Sequence, residues 1–244
     1  MLRTLSLIIF TSFFISLTSG CSSLLMKPES EWTVEEFYEK AKKEFDSSQW
    51  SMAIEYYEKL KANFPYGVYA EQSYLELAYS YYRYDEPQSA IRELEEFIRL
   101  YPRHSRLDYA YYLKAVAADS INQSWLDKYI TDPANRDTKS SRQAYRAYQE
   151  VIEKFPDSVY AQPSQQRLII LTNRLARSQL QVAEYYYKRK AYMAAATRTK
   201  QLIEDYPLAQ TNLKALKLLK ASYEQLGMQE NADSVQAVIE QNAQ

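Results

Sequence analysis

Residues 74–102 read YLELAYSYYRYDEPQSAIRELEEFIRLYP. Tyr74, Leu77, Ala78 and Tyr81 recur at three- and four-residue intervals, the spacing that gathers side chains on one face of an α-helix. Ala90 and Leu94 repeat that spacing on a second helix, and Tyr101-Pro102 ends it, because proline has no backbone N–H for a continuing helix. The small Ala78 and Ala90 let the two helices approach closely, and aromatic side chains fill the gaps. One such pair cannot bury its apolar face alone, so pairs must stack.

Working outward, three more dipeptides match Tyr101-Pro102: Phe64-Pro65, Phe155-Pro156 and Tyr206-Pro207. The intervals between the prolines are 37, 54 and 51 residues, longer than the roughly 34 of an ideal tetratricopeptide repeat, so some units carry insertions. Phe37, Ala41, Ala53 and Tyr57 keep the pattern before Pro65, with Lys40 and Glu44 where Leu and Tyr are expected. Val182, Ala183, Tyr186 and Ala195 keep it before Pro207, and Ala144 and Tyr148 before Pro156. A last unit without the proline shows Leu216, Leu219, Tyr223, Gly227 and Ala232, as a capping repeat does. The expected fold class is all-α, a tetratricopeptide-repeat solenoid of about five helix pairs.

Composition agrees. The chain has 24 tyrosines and only 3 glycines, and tight β turns need the positive φ that glycine supplies. Residues 119–141, with Trp125 and Asp132-Pro133, are expected as an insertion holding a loop and a short helix. Residues 164–190 contain neither proline nor glycine, and an unbroken helix there would run about 40 Å and join two halves of the solenoid.

The first twenty residues look like an address. Arg3 precedes the apolar run Leu5 to Leu17 and the small residues Thr18-Ser19-Gly20, ahead of Cys21. The run is shorter than the roughly 20 apolar residues of a membrane-spanning helix, and the layout is that of a removed secretory signal. Leu17-Thr18-Ser19-Gly20-Cys21 resembles a lipobox, with Thr18 where Leu usually stands. A plain signal with an incidental cysteine is the alternative. The resemblance to a lipobox implies S-diacylglycerol and an N-palmitoyl group on Cys21; one acyl chain alone would hold only marginally, at about 0.8 kcal/mol per CH₂. Ser22, rather than Asp, points to the outer membrane. Residues 22–31 read as a flexible leash.

Several chemistries are excluded. Basic and acidic residues number 30 and 31, without the basic excess of a nucleic-acid reader, so no nucleic acid is expected. A single cysteine rules out an intramolecular disulfide and a thiolate metal cluster. His104, the only histidine, follows Pro102 in a turn, a poor place for a catalytic triad. Glycines at 20, 67 and 227 cannot form a phosphate loop. Glu55/Lys59 and Glu150/Lys154 read as i,i+4 pairs on a solvated face. No catalytic residue, metal or cofactor is expected, and the chain is not read as an enzyme. Tyr74 and Tyr81 are core. Tyr66, Tyr69, Tyr82 and Tyr84 fall outside core positions, where exposed aromatics suit peptide binding and packing is an equal alternative.

Asn63-Phe-Pro-Tyr-Gly-Val-Tyr69, Phe97-Ile-Arg-Leu-Tyr-Pro102, Leu107-Asp-Tyr109 and Val182-Ala-Glu-Tyr-Tyr186 resemble the corresponding stretches of the BamD (ComL) family over nearly the whole mature chain. The resemblance implies a lipid-anchored scaffold on the periplasmic face of the outer membrane, in the β-barrel assembly machine. It implies as partners the POTRA modules of BamA, the lipoproteins BamC and BamE, and unfolded outer-membrane β-barrel substrates. By position, Phe64, Tyr66 and Tyr69 match the family's substrate-strand pocket. Arg198 matches an arginine that docks on the barrel subunit, an ordinary solvated charge being the alternative. Residues 1–20 are then the signal, 21–32 the lipidated N-terminus and leash, 33–156 a substrate-side half of three repeats and 157–244 a docking half of two. The competing function is a repeat lipoprotein that scaffolds peptidoglycan or cell-division partners.

Overall fold

The computed structural model describes residues 27–121 and 138–242. The signal 1–20, Cys21 and the middle of the expected 119–141 insertion lie outside the described residues. Ten α-helices and no strand occur among the described residues. They fall into two compact units, 27–70 and 71–242.

Unit 1 holds a 3-10 turn at Glu29–Glu31, α1 (Val34–Asp46), α2 (Trp50–Asn63) and the start of α3 (Val68–Arg83). Thr33 starts α1 through a capping box: its hydroxyl accepts from the Glu36 N–H at 3.3 Å, while the Glu36 carboxylate accepts from the Thr33 N–H at 2.6 Å. α1 packs on α2, and Phe37, Ala41, Ala53 and Tyr57 are all buried as the spacing demands. Lys40 and Glu44, the two departures from the repeat pattern, pair with each other at 2.7 Å instead of entering the core.

Unit 2 continues through α4 (Pro87–Leu100), α5 (Leu107–Ser120), α6 (Thr138–Lys154), α7 (Ala161–Lys188), α8 (Tyr192–Asp205), α9 (Asn212–Gln225) and α10 (Gln229–Gln241). From α4 onward each helix packs on the next in sequence, the arrangement of stacked helical repeats. Tyr74 and Ala78 on α3 share a core cluster with Leu94 and Phe97 on α4. Ala90 continues into a second cluster with Ala144, Tyr148 and Leu171 from α6 and α7. The 28-residue α7 is unbroken and packs on both α6 and α8; its length, about 42 Å, lets it serve two neighbours.

One turn recurs. After α1, α3, α7 and α9 the second residue beyond the helix has positive φ: Ser48 (58°), Asp85 (65°), Lys190 (62°) and Gly227 (71°). Each is followed by a six-residue backbone closure, Gln49 N–H to Glu44, Glu86 to Tyr81, Ala191 to Tyr186 and Met228 to Tyr223, at 2.8–3.0 Å. That is the Schellman motif, four times over. The second helix of four pairs ends at the aromatic residue before proline, whose N–H still reaches back four residues: Phe64, Tyr101, Phe155 and Tyr206 at 2.8–3.0 Å. The pairs are therefore α1/α2, α3/α4, α5/α6, α7/α8 and α9/α10.

Two expectations need correction, those on Val182 and on Glu150/Lys154, and one open alternative is decided, that on Tyr82. Val182 is 39% exposed, and its neighbours Leu180 and Ala183 take the buried positions; the face of the long α7 that meets α8 runs through them. Tyr82 is half-buried against two core clusters, so only Tyr84 of that pair stands largely in solvent. Glu150 and Lys154 do not pair: Glu150 accepts from Lys114 at 3.1 Å, and Lys154 donates to the Tyr111 hydroxyl at 2.8 Å. Both reach across to α5 rather than along their own helix. The Glu55–Lys59 pair does form, at 2.8 Å.

Candidate functional site

The stretch 63–69 sits where α2 hands over to α3. Pro65 stops α2, Gly67 turns the chain at φ 105°, a conformation open to glycine without strain, and the aromatics on either side diverge. Phe64 points back to α1, its ring 6.1 Å from Phe37. Tyr69 packs on Tyr38 at 5.0 Å. Tyr66, 87% exposed, and Val68, 80% exposed, stand in solvent at the tip.

Of the three sequence-predicted aromatics, Phe64 alone lines a cleft of about 430 Å³, with Trp32, Phe37, Lys59 and Asn63. Trp32 forms one wall. It stacks on Tyr56 at 5.9 Å, meets Phe37 edge-on at 5.1 Å, and its indole N–H donates to the Lys27 carbonyl at 3.0 Å. Lys59 is held by Glu29 at 2.7 Å and by Glu55, which together keep its ammonium well above the usual lysine range, Glu29 contributing most. Lys27 bonds Glu36 at 2.7 Å and draws that carboxylate below its ordinary pKa. Residues 27–32, expected as part of a flexible leash, are thus fastened to unit 1. Trp32 has no counterpart in the sequence reading and Lys59 is read there only as half of a solvated pair with Glu55, although Thr33 with Glu36 three residues on is a legible helix start.

Arg198 lies on the exposed face of α8, one residue before the buried Thr199, whose hydroxyl donates to the Ala195 carbonyl at 2.7 Å. No ion pair among the described residues holds it. It belongs to unit 2 and the aromatic cleft to unit 1.

A buried ion pair was also missed. Arg167 on α7 donates to Asp119 at the end of α5, and Asp119 is 8% exposed. Beside it, Tyr148 is pushed well above the ordinary phenol range, by burial first and by the Asp119 charge second. His104 occupies its turn, its Nδ1 accepting from the Arg106 N–H at 3.0 Å and its ring 5.1 Å from Phe97. No described helix is long and apolar enough to cross a membrane.

The family model for YfiO, an outer membrane lipoprotein, matches residues 30–238. The chain is 38% identical over 213 residues to the outer membrane protein assembly factor BamD of Neisseria meningitidis serogroup A, covering 87% of this chain and 80% of that one. It is 31% identical to the protein of the same name from Vibrio cholerae, covering 93% and 95%. Among solved structures, the TPR domain of P58(IPK) aligns over 86% of this chain and 51% of its own at 12% identity, with a TM-score of 0.45.

Proposed function

Since the chain belongs to the YfiO family of outer membrane lipoproteins, we propose that it is an outer membrane protein assembly factor, working by binding other chains and catalysing no reaction. The observation that carries this reading is the extent of the match: 30–238 takes in both compact units and nearly every helix pair. The relatives named as assembly factors are matched over most of their own length as well.

In this reading Cys21 carries the acyl chains and holds the protein on the periplasmic face. Arg198 docks on the POTRA modules of the barrel subunit BamA. What supports that role is its exposure on α8 and its freedom from any ion pair among the described residues; an interface arginine that loses water there is the kind of residue that dominates binding energy. Phe64 and the exposed Tyr66 receive the targeting strand of unfolded β-barrel substrates, with Tyr69 bracing the turn from behind. BamC and BamE are the accessory partners.

The test is a pull-down of purified barrel subunit on the mature protein. Arg198→Glu should weaken capture at least about tenfold while leaving helical circular dichroism and melting unchanged. Capture at normal strength would remove Arg198 from the interface. Depletion of the protein that left outer-membrane barrel levels intact would remove the assembly role itself.

A further inference from the structure

Unit 2 carries a second cleft, of about 520 Å³, remote in sequence from Arg198 and from the 63–69 turn. Its floor is apolar, made by Ile91, Ala118 and Ala147, all buried. Its walls carry four cations, Lys114, Lys139, Arg142 and Arg146, against two carboxylates, Glu95 and Glu150. Glu150 is already bonded to Lys114. Arg142 donates to the Thr138 hydroxyl at 3.0 Å, and among the described residues neither Arg142 nor Arg146 has an ion-pair partner.

This charge placement works against α6 itself. The first turn of α6 contains no acidic residue and begins Thr138-Lys139, although the N-terminal end of a helix already carries a partial positive charge and favours anions. Arg142 and Arg146 stand four residues apart on one face, where like charges repel by a few tenths of a kcal/mol. Glu95 and Glu150 share the cleft, but no described residue forms an ion pair with Arg142 or Arg146. An anion bound in the cleft would relieve the two arginines.

We propose that this cleft binds an extended acidic peptide segment in which two carboxylates are separated by one residue. The register comes from geometry. Arg142 and Arg146 lie four residues apart, about 6 Å along the helix, and alternate side chains of an extended strand are about 6.6 Å apart on one face. Two aspartates or glutamates at i and i+2 therefore meet successive guanidinium groups, each able to take a carboxylate bidentately. The intervening backbone lies over Ala147 and Ala118, where small side chains leave room for it. The proposal stands without the lipid anchor and without the Arg198 interface.

The experiment is fluorescence anisotropy on the mature protein, using a fluorescein-labelled hexapeptide with two aspartates separated by one alanine. Comparison peptides place the aspartates side by side or replace both with asparagine. The spaced peptide should bind, the other two at least about tenfold more weakly, with affinity falling as salt rises. Arg142→Gln with Arg146→Gln should abolish the preference, and Arg103→Gln, an exposed turn residue, should leave it intact. Removing two repelling cations should also hold or raise the melting temperature, whereas a structural role would lower it. Equal binding of the three peptides, no binding at all, or a double variant that keeps the preference would overturn the proposal. So would loss of binding to phosphatidylglycerol vesicles with peptide binding unchanged, which would reassign the cleft to a phospholipid headgroup.

Discussion

Asp119→Ala removes one half of the ion pair that ties the end of α5 to α7. The Asp119 side chain is 7% and the Arg167 side chain 28% exposed, so deletion strands a largely buried guanidinium with no acid beside it. Breaking a buried pair in this way costs about 3–5 kcal/mol, and the partial access of Arg167 to water puts the value near the lower end, about 3 kcal/mol. For a chain of this length each kcal/mol shifts the melting temperature by about 2–4 °C, so melting followed by circular dichroism should fall by about 6–12 °C. The decisive comparison is Asp119→Leu with Arg167→Met, which removes both charges and leaves apolar side chains in their place; it should recover most of the loss, because replacing a whole buried pair by apolar groups is close to neutral. A single variant that melts within a degree of the parent would show that the carboxylate does not anchor α7. A double variant as unstable as the single would show that packing at Asp119, not charge, holds the two helices.

The recurring turn gives a matched pair of tests. Lys190→Gly should stabilise by about 0.5–1 kcal/mol, by lifting the strain of a side chain at φ 62°; Gly227→Ala should destabilise by about 1 kcal/mol through the backbone alone, since its Cβ would meet nothing within 4 Å. Urea melts of the two variants should move in opposite directions. Ala90→Trp, at a position with no exposure, should overpack the α3/α4 pair and lower stability by about 1–3 kcal/mol. Burial pushes the phenols of Tyr74 and Tyr109 up to about 12. The unfolded chain loses these protons near pH 10 while the folded one keeps them. Stability should therefore be full below pH 10 and decline between pH 10 and 12, with tyrosinate absorbance rising late; absorbance complete by pH 10.5 in folded protein would contradict the burial.

The helix pairs were legible because each is closed by a chemical stop. An aromatic followed by proline ends a helix whatever surrounds it, and alanine at the close-approach positions leaves few alternatives for Ala53, Ala78, Ala90 and Ala195, all fully buried. The turns inside the pairs were not legible. Ser48, Asp85 and Lys190 adopt positive φ without being glycine, because the two backbone bonds of the Schellman closure hold them there; only Gly227 advertised its conformation. Val182 was misplaced because apolar spacing names a face without saying which of two adjacent apolar residues meets the neighbouring helix. Ser80, Ser164, Thr199 and Ser222 are buried and bond the carbonyl four residues back at 2.7–2.8 Å. They serve as small core residues whose hydroxyls are satisfied within their own helices.

The sites were harder to read for a reason that follows from the fold. Stacked pairs spend alanine, leucine and tyrosine on the contact between neighbours, so whatever binds a partner must be assembled from residues that the repeat pattern leaves over. Trp32, Lys59 and Phe64 come from a strap, a helix and a turn, and Ile91, Lys114 and Arg146 from three different helices. Within its own helix Arg146 looks like any solvated charge; it becomes informative only when α5 closes the space opposite it and no carboxylate among the described residues pairs with it. The aromatic turn is the opposite case. Tyr66 stands out in the sequence because it fits no core position, and its 87% exposure follows from that same misfit: Gly67 turns the chain beside it, and no helix among the described residues covers its ring.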